Sequence, residues 1–186
     1  MFAVTPKCRF VSFQAALSLA DDDELAEKFR WIRVHGQESK HHHPILGLNG
    51  RMDTLQAAIL LEILEVFQDE VTKREEIGKK YSSSLSTVND IVTPFIDKNN
   101  TSVYAQYTIL SQNRHDILSK FKENDIPAVA YYSVPLHLQP VFKKLGHKVE
   151  DFPVAEKVAS QCLSLPMSPY LKQYEQSLIV KTISNI

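Results

Sequence analysis

The sequence of 186 residues predicts an α/β fold, and three observations lead to that prediction. With 44% hydrophobic residues and only 5 glycines, the chain has the composition of a globular protein that buries a core. A long helical pattern with a broad apolar stripe begins at Asp53. Helix-like and strand-like patterns then alternate, which is typical of a small α/β domain. We therefore expect three parts: residues 1–52, a connecting helix region at 53–88, and a small α/β domain at 89–186.

The charge balance and the cysteines exclude several classes of function. A net charge of -1, from 21 basic and 22 acidic residues, provides no overall attraction to nucleic acid or to an anionic membrane. Cys8 and Cys162 lie far apart and belong to no metal-ligand pattern, which favours a reducing cytoplasm. The apolar stretch at 10–20 is short and interrupted by polar residues. We expect neither a signal peptide nor a membrane span there.

The first helices are indicated by acidic residues and by capping patterns. Four acids at 21–24 precede a helical pattern that runs to Ile32. Glycines, prolines and three histidines then predict a long, well-fixed loop at 34–50. Asp53 and Gln56 have the spacing of a capping box, so a long helix should begin there. We expect serines 82–84 to weaken the end of this helix.

The second half of the chain reads as alternating short elements. Residues rich in valine, tyrosine, threonine and isoleucine predict strands, and apolar positions three and four apart predict helices. Strands are expected at 103–110, 128–132 and 163–165, and helical segments at 114–124, 141–145, 154–162 and 174–183.

Several motifs share one arrangement along most of the chain. They are HGQ at 35–37, GLNGRMDTLQAA at 47–58, SVYAQY at 102–107, IPA at 126–128 followed by YY at 131–132, PLHLQP at 135–140, and LPMSPY at 165–170. Together they resemble the DegT/DnrJ/EryC1/StrS sugar aminotransferases. The resemblance covers nearly everything after Asp21.

This resemblance implies the C-terminal part of a fold-type-I transferase that depends on pyridoxal 5'-phosphate (PLP). Residues 1–52 would then be the end of the large PLP-binding domain. The implied reaction converts the keto group of a UDP-sugar to an amino group, with glutamate as donor, in bacterial surface-polysaccharide synthesis. The family members are homodimers with active sites at the subunit interface. Because the family's long N-terminal part has no counterpart here, we expect this chain alone to be inactive or severely impaired.

Lys7 is the candidate Schiff-base lysine, which would be both catalytic and cofactor-binding. Counting back without gaps from the first helix places it where the family has its lysine. The family follows that lysine with a glycine-rich run, whereas residues 8–20 contain no glycine. The alternative is an ordinary exposed lysine near a frayed terminus, in a segment that a frameshift brought into the reading frame.

Asn49 and Arg51 are the strongest candidates for a site within the loop. Residues two apart in extended chain project to the same side, so both side chains could reach a neighbouring active site. By resemblance, Asn49 binds the cofactor phosphate and Arg51 binds the sugar nucleotide, roles that suit an amide N–H and a guanidinium. The alternative is a turn at Asn49 and Gly50, with Arg51 anchoring the next helix.

Tyr131 and His137 are candidate substrate-binding residues, because they match the family segment that lines the substrate mouth. For the adjacent Tyr132, a place in the core is at least as probable a reading. The run of three histidines at 41–43 invites a metal hypothesis, but adjacent side chains diverge in direction and rarely close a coordination shell. We interpret them as loop residues and predict no metal site.

A second reading belongs to a different class of function. The chain could be a non-catalytic remnant or interaction module, whose small domain folds and whose apolar faces pair without any chemistry. The apolar stripe from Ile59 to Phe67 is interpreted as dimer or domain core and not as a site for a cofactor.

Overall fold

The computed structural model describes residues 21–186, which fall into two compact units, residues 21–66 and residues 67–186. The helices and strands are α1 (Asp23–Ile32), α2 (Thr54–Leu85), β1 (Tyr107–Leu110), α3 (Arg114–Glu123), two 3-10 segments (Leu136–Leu138 and Pro140–Leu145), α4 (Pro153–Gln161), β2 (Cys162–Leu165) and α5 (Gln173–Ser184). This mixture of helix and sheet agrees with the predicted fold class. No helix in the described range is both long and apolar enough to cross a lipid bilayer.

In the first unit, α1 begins where the acidic residues predict it. The side chain of Asp22 caps the helix by accepting a hydrogen bond from the backbone N–H of Leu25, at 3.0 Å. Asp23 and Glu24 lie in the first turn, next to the positive end of the helix dipole. The helix ends at Ile32, and the long loop follows as predicted.

The long helix α2 also begins as predicted but runs further than expected. The side chain of Gln56 accepts a hydrogen bond from the backbone N–H of Asp53, at 3.1 Å, which is one half of a capping box. The predicted weakening at serines 82–84 was wrong, because the helix continues to Leu85. Tyr81 and Leu85 are fully buried in the second unit, and this packing outweighs the modest helix propensity of serine.

The core of the second unit is built around a two-stranded antiparallel sheet. Strands β1 and β2 pair with Tyr107 opposite Leu165. Tyr107 and Ile109 are buried on one face of β1, while all four residues of β2 are buried. Helices α3 and α5 pack against each other, and together with the end of α2 they complete this core. Its buried members are Tyr81, Leu85, Tyr104, Tyr107, Ile109, Ile117, Phe121, Ile126, Leu163, Leu165, Ile179 and Ile183.

Two predicted strands are shorter than expected. The strand predicted at 103–110 begins only at Tyr107, because Tyr104 has a positive φ of 42°, outside the conformations of a strand. The strand predicted at 128–132 is a single bridge between Val129 and Ser164, after which the chain turns at Tyr131. The remaining predicted elements lie within one or two residues of their observed bounds. The predicted domain boundaries at 52 and 88 stay predictions.

Candidate functional site

Two glycines fix the loop that carries Asn49 and Arg51. Gly36 has a φ of 71°, and a Cβ atom at this position would lie 1.8 Å from the carbonyl oxygen of Ile45. A Cβ atom on Gly47 would lie 1.9 Å from the backbone nitrogen of Gly36. The two stretches of backbone therefore approach too closely for any other residue type.

Backbone hydrogen bonds hold the segment around Asn49 against the chain that leaves α1. The N–H of His35 donates to the carbonyl of Leu48 at 2.9 Å, and the N–H of Gly50 donates to the carbonyl of Arg33 at 2.8 Å. Val34 and Asn49 form an antiparallel bridge between these bonds. Asn49 thus stands on extended, paired backbone, so its side chain has a defined direction.

The side chains of Asn49 and Arg51 meet on the exposed side of this segment. The guanidinium of Arg51 donates a hydrogen bond from Nη1 to the Oδ1 atom of Asn49, at 3.1 Å. Both residues are exposed. With its oxygen occupied by Arg51, the amide of Asn49 presents its N–H donors outward, beside a permanent positive charge.

This donor set fits the phosphate end of PLP. An amide N–H and a guanidinium next to each other provide hydrogen-bond donors and charge, which are what a phosphate group requires. Neither group has to be taken out of a buried ion pair before it can bind an anion. Asn49 and Arg51 are thus suited to hold a phosphate, and the described residues show no geometry for the pyridine ring.

The three adjacent histidines have separate local partners. Nδ1 of His42 lies 2.9 Å from Oε2 of Glu38, and Nδ1 of His43 lies 3.0 Å from the carbonyl oxygen of His35. Within residues 21–186, no group of three His, Cys, Asp or Glu side chains is placed to hold a metal ion.

Tyr131 lies between two clefts of the second unit. One is a cavity of about 180 Å³ next to the sheet, lined by Gln106, Ser164 and Met167 among others. The other is a mostly apolar groove of about 780 Å³. Tyr131 and Tyr132 are 56% and 71% exposed, so neither belongs to the core. The groove is lined by Tyr131, Tyr132, Val134, Pro135, Leu136, Gln139, Asp151, Phe152, Pro153, Val154, Ala155 and Val158.

His137 is not among the residues that line this groove, and its imidazole contacts Glu156 of α4. Its side chain is only 8% exposed, and its Nε2 atom lies 3.0 Å from Oε1 of Glu156. Its ring also packs on Phe152, with the ring centroids 4.8 Å apart. Substrate contact by His137 stays a prediction, because in this arrangement the imidazole is engaged with Glu156.

Sequence reasoning missed Glu156, which organises this part of the second unit. Its carboxylate accepts hydrogen bonds from the backbone N–H groups of Glu150 and Phe152 as well as contacting His137. The N–H of Glu150, followed by that of Phe152 and by His137, lowers the pKa of Glu156. The available signal was an acid in the first turn of a helix that begins with Pro153, where a carboxylate is favoured.

Lys7, the candidate Schiff-base lysine, lies outside the described residues, and its role stays a prediction.

Comparison with known proteins decides the family. The sequence profile of the DegT/DnrJ/EryC1/StrS aminotransferase family matches residues 5–184. The chain belongs to this family. Among its relatives, the UDP-2-acetamido-2-deoxy-3-oxo-D-glucuronate aminotransferase of Pseudomonas aeruginosa is 42% identical over 165 residues, covering 89% of this chain and 45% of that protein. The chain thus spans less than half the length of this relative.

Solved structures of the family have the same fold. A DegT/DnrJ/EryC1/StrS aminotransferase from Brucella abortus is 37% identical, with a TM-score of 0.81 over 89% of this chain and 44% of that one. NtdA from Bacillus subtilis, solved with bound cofactor PMP, is 28% identical, with a TM-score of 0.78 over 89% of this chain and 40% of that one. The predicted C-terminal part of a fold-type-I transferase is therefore confirmed, and the cofactor of the family is PLP.

Proposed function

We propose that this chain forms part of a sugar-nucleotide aminotransferase, which converts a keto sugar to an amino sugar with an amino-acid donor. The observation that carries the proposal is the Asn49–Arg51 pair, held outward on a fixed loop in a chain that belongs to an aminotransferase family. When bound, PLP supplies an electron-withdrawing ring that makes the C–H bond of the amino substrate acidic.

In this proposal each candidate residue has a defined task. The amide N–H of Asn49 donates to the cofactor phosphate, and the guanidinium of Arg51 holds an anionic group of the sugar nucleotide. Lys7 supplies the amine that binds the cofactor covalently and then moves protons. Tyr131, which lines both clefts, and His137, which follows the groove residue Leu136, contribute to the substrate mouth.

The proposed substrate is a UDP-sugar, the donor is glutamate, and the setting is bacterial surface-polysaccharide synthesis in the cytoplasm. The name of the Pseudomonas aeruginosa relative supports a UDP-sugar. We also propose a homodimer, which the exposed apolar stripe of α2 supports. Leu55, Leu64 and Phe67 on this stripe are all more than 50% exposed.

We further propose that this chain by itself is inactive or severely impaired, because activity needs a whole site and the chain spans about 45% of the Pseudomonas aeruginosa relative. The same exposed stripe on α2 favours a second candidate function, an interaction module without chemistry.

The two candidates differ in how the chain reacts with PLP. The absorbance spectrum of the purified chain with PLP would be followed by borohydride reduction and peptide mapping. The aminotransferase proposal predicts one dominant adduct at Lys7, lost in Lys7→Ala and kept in the matched control Lys40→Ala, an exposed lysine. Adducts spread over many lysines, and equal in all three proteins, would overturn the role of Lys7 and favour the interaction module.

A further inference from the structure

Phe152 lies between two histidines that approach it from different parts of the chain. The ring of His137, from a 3-10 segment, has its centroid 4.8 Å from that of Phe152. The ring of His147 lies edge-on at 5.1 Å. We call the loop 146–152 that carries Phe152 the Phe152 loop. It forms one wall of the apolar groove, through Asp151 and Phe152.

Each histidine is paired with a carboxylate that also holds the backbone of this loop. Glu156 contacts His137 at 3.0 Å and accepts the N–H groups of Glu150 at 2.9 Å and Phe152 at 3.3 Å. Asp151 contacts His147 at 3.4 Å and accepts the N–H of Lys148 at 2.9 Å. Two carboxylates thus connect both imidazoles to the loop.

The backbone of the Phe152 loop depends on these bonds. Gly146 and Glu150 both have a φ of 78°, and for Glu150 this left-handed conformation is unfavourable. The N–H of Glu150 is held by both oxygens of Glu156, at 2.9 and 3.0 Å. Weakening the contacts of Glu156 should therefore release the loop at this strained residue.

The charges around the two imidazoles set the pH range of any response. The groups that face them are Glu156, from α4, and Asp151, from the loop, and within residues 21–186 neither carboxylate is paired with a lysine or arginine. Backbone N–H groups lower the pKa of both carboxylates, chiefly that of Glu150 for Glu156 and that of Lys148 for Asp151. Both carboxylates therefore stay ionised throughout and above their ordinary titration range, whereas histidine is the residue type that ordinarily changes charge near neutral pH.

We propose that the Phe152 loop is a pH-sensitive latch that fixes one wall of the groove when His137 and His147 are protonated, and loosens it when they are neutral. Protonation converts the contact of His137 with Glu156 into a charge-assisted hydrogen bond, which is about twice as strong as a neutral one. It also gives His147 and Asp151 opposite charges at a distance of 3.4 Å. The stabilisation is therefore present when the imidazoles are charged, at low pH, and absent when they are neutral.

The test uses the whole chain without cofactor or substrate, so its outcome is independent of the proposed function. Nuclear magnetic resonance would measure amide protection factors, the ratio of intrinsic to observed exchange rates, at pH 5.5 and 8.0. We expect protection of the Glu150 and Phe152 amides to be about two- to fivefold greater at pH 5.5, the size of a partly exposed ion pair. The amides of Asn99 and Lys172, which donate to the carboxylates of Asp97 and Glu175 respectively, at 2.9 Å in each case, are internal controls and should not change.

Two variants separate the latch from simple loop packing. Glu156→Gln keeps the shape but removes the charge, and it should abolish the pH dependence at Phe152. His147→Gln, at a side chain that is 38% exposed, should fold normally and reduce the pH dependence without abolishing it. Equal protection at both pH values in the native chain would overturn the latch, as would an unchanged pH dependence in either variant.

Discussion

Replacing Gly78 by alanine is expected to destabilise the second unit, although alanine favours helix. Gly78 lies inside α2, where alanine ordinarily contributes up to about 1 kcal/mol of stability relative to glycine. A Cβ atom at this position would lie 2.5 to 2.9 Å from three ring atoms of Tyr104. These atoms belong to the ring of a residue that is only 8% exposed, not to the flexible end of a side chain, so the ring or the helix must move.

The two effects can be compared in size. Overpacking a well-filled core costs about 1–3 kcal/mol, which exceeds the gain in helix propensity. Subtracting the gain of up to about 1 kcal/mol leaves a net loss of up to about 2 kcal/mol, which for a chain of this length lowers the melting temperature by up to roughly 8 °C. The measurement is thermal and urea unfolding followed by circular dichroism. Ser83→Ala, at an exposed position of the same helix, is the control and should change stability by less than about 0.5 kcal/mol.

The same substitution in a variant without the Tyr104 ring tests whether the clash with this ring causes the loss of stability. In a protein that carries Tyr104→Ala, the ring is absent, and Gly78→Ala should then stabilise the helix, reversing the sign of the effect. If Gly78→Ala raised the melting temperature with Tyr104 in place, the packing of α2 on this ring would be refuted.

The phenol of Tyr81 donates a hydrogen bond to the carbonyl of Pro166 at 3.0 Å, and burial raises the pKa of Tyr81, so the donor stays protonated. Tyr81→Phe removes this bond and should lower the free energy of unfolding, measured in urea, by about 1 kcal/mol. An unchanged unfolding midpoint would show that this bond contributes nothing. The hydroxyl of Ser111 and then the N–H of Asn113 lower the pKa of Asp90 in the folded chain. The ionised carboxylate therefore stabilises the fold at pH values above the ordinary aspartate range, and this stabilisation is lost as the pH falls through the pKa that Asp90 has in the folded chain. The Asp90→Asn variant should therefore have a lower free energy of unfolding than the native chain at pH 7, and the difference should shrink below about pH 4. A difference of the same size at both pH values would contradict a stabilising role of the ionised Asp90.

Local signals in the sequence were sufficient for the helices and for the order of elements. The acids before α1 and the Gln56 side chain that bonds to Asp53 act within one turn, so a sequence pattern reports them directly. The end of α2 could not be predicted in this way. It depends on burial of Tyr81 and Leu85 against residues far along the chain.

The same distinction holds for the candidate site. Side chains alternate in direction along extended backbone, which predicted that Asn49 and Arg51 share one side of the loop. The hydrogen bond between their side chains agrees with that geometry. His137 and Glu156, whose side chains are hydrogen-bonded, lie 19 residues apart in the sequence, and no sequence motif predicts this contact. The positive φ of Tyr104, which delays β1, likewise follows from tertiary packing that propensity does not encode.

The central claim is that Asn49 and Arg51 form an anion-binding element, in which Asn49 holds the cofactor phosphate and Arg51 holds an anionic group of the sugar nucleotide. The most direct measurement is a titration of the isotope-labelled chain by nuclear magnetic resonance. PLP and inorganic phosphate would be compared with pyridoxal, which lacks the phosphate. Matched controls are Asn89→Ala for Asn49→Ala and Arg30→Ala for Arg51→Ala, since both control residues are exposed.

The account predicts that PLP and inorganic phosphate shift the side-chain amide signals of Asn49. It also predicts that inorganic phosphate, which has the charge of the sugar-nucleotide phosphates, shifts the guanidinium signals of Arg51, whereas pyridoxal shifts neither set. It also predicts that Asn49→Ala and Arg51→Ala weaken this response severalfold while both controls keep it. Shifts that are absent, or that are equal with pyridoxal and phosphate, would contradict the claim that this loop holds the cofactor phosphate.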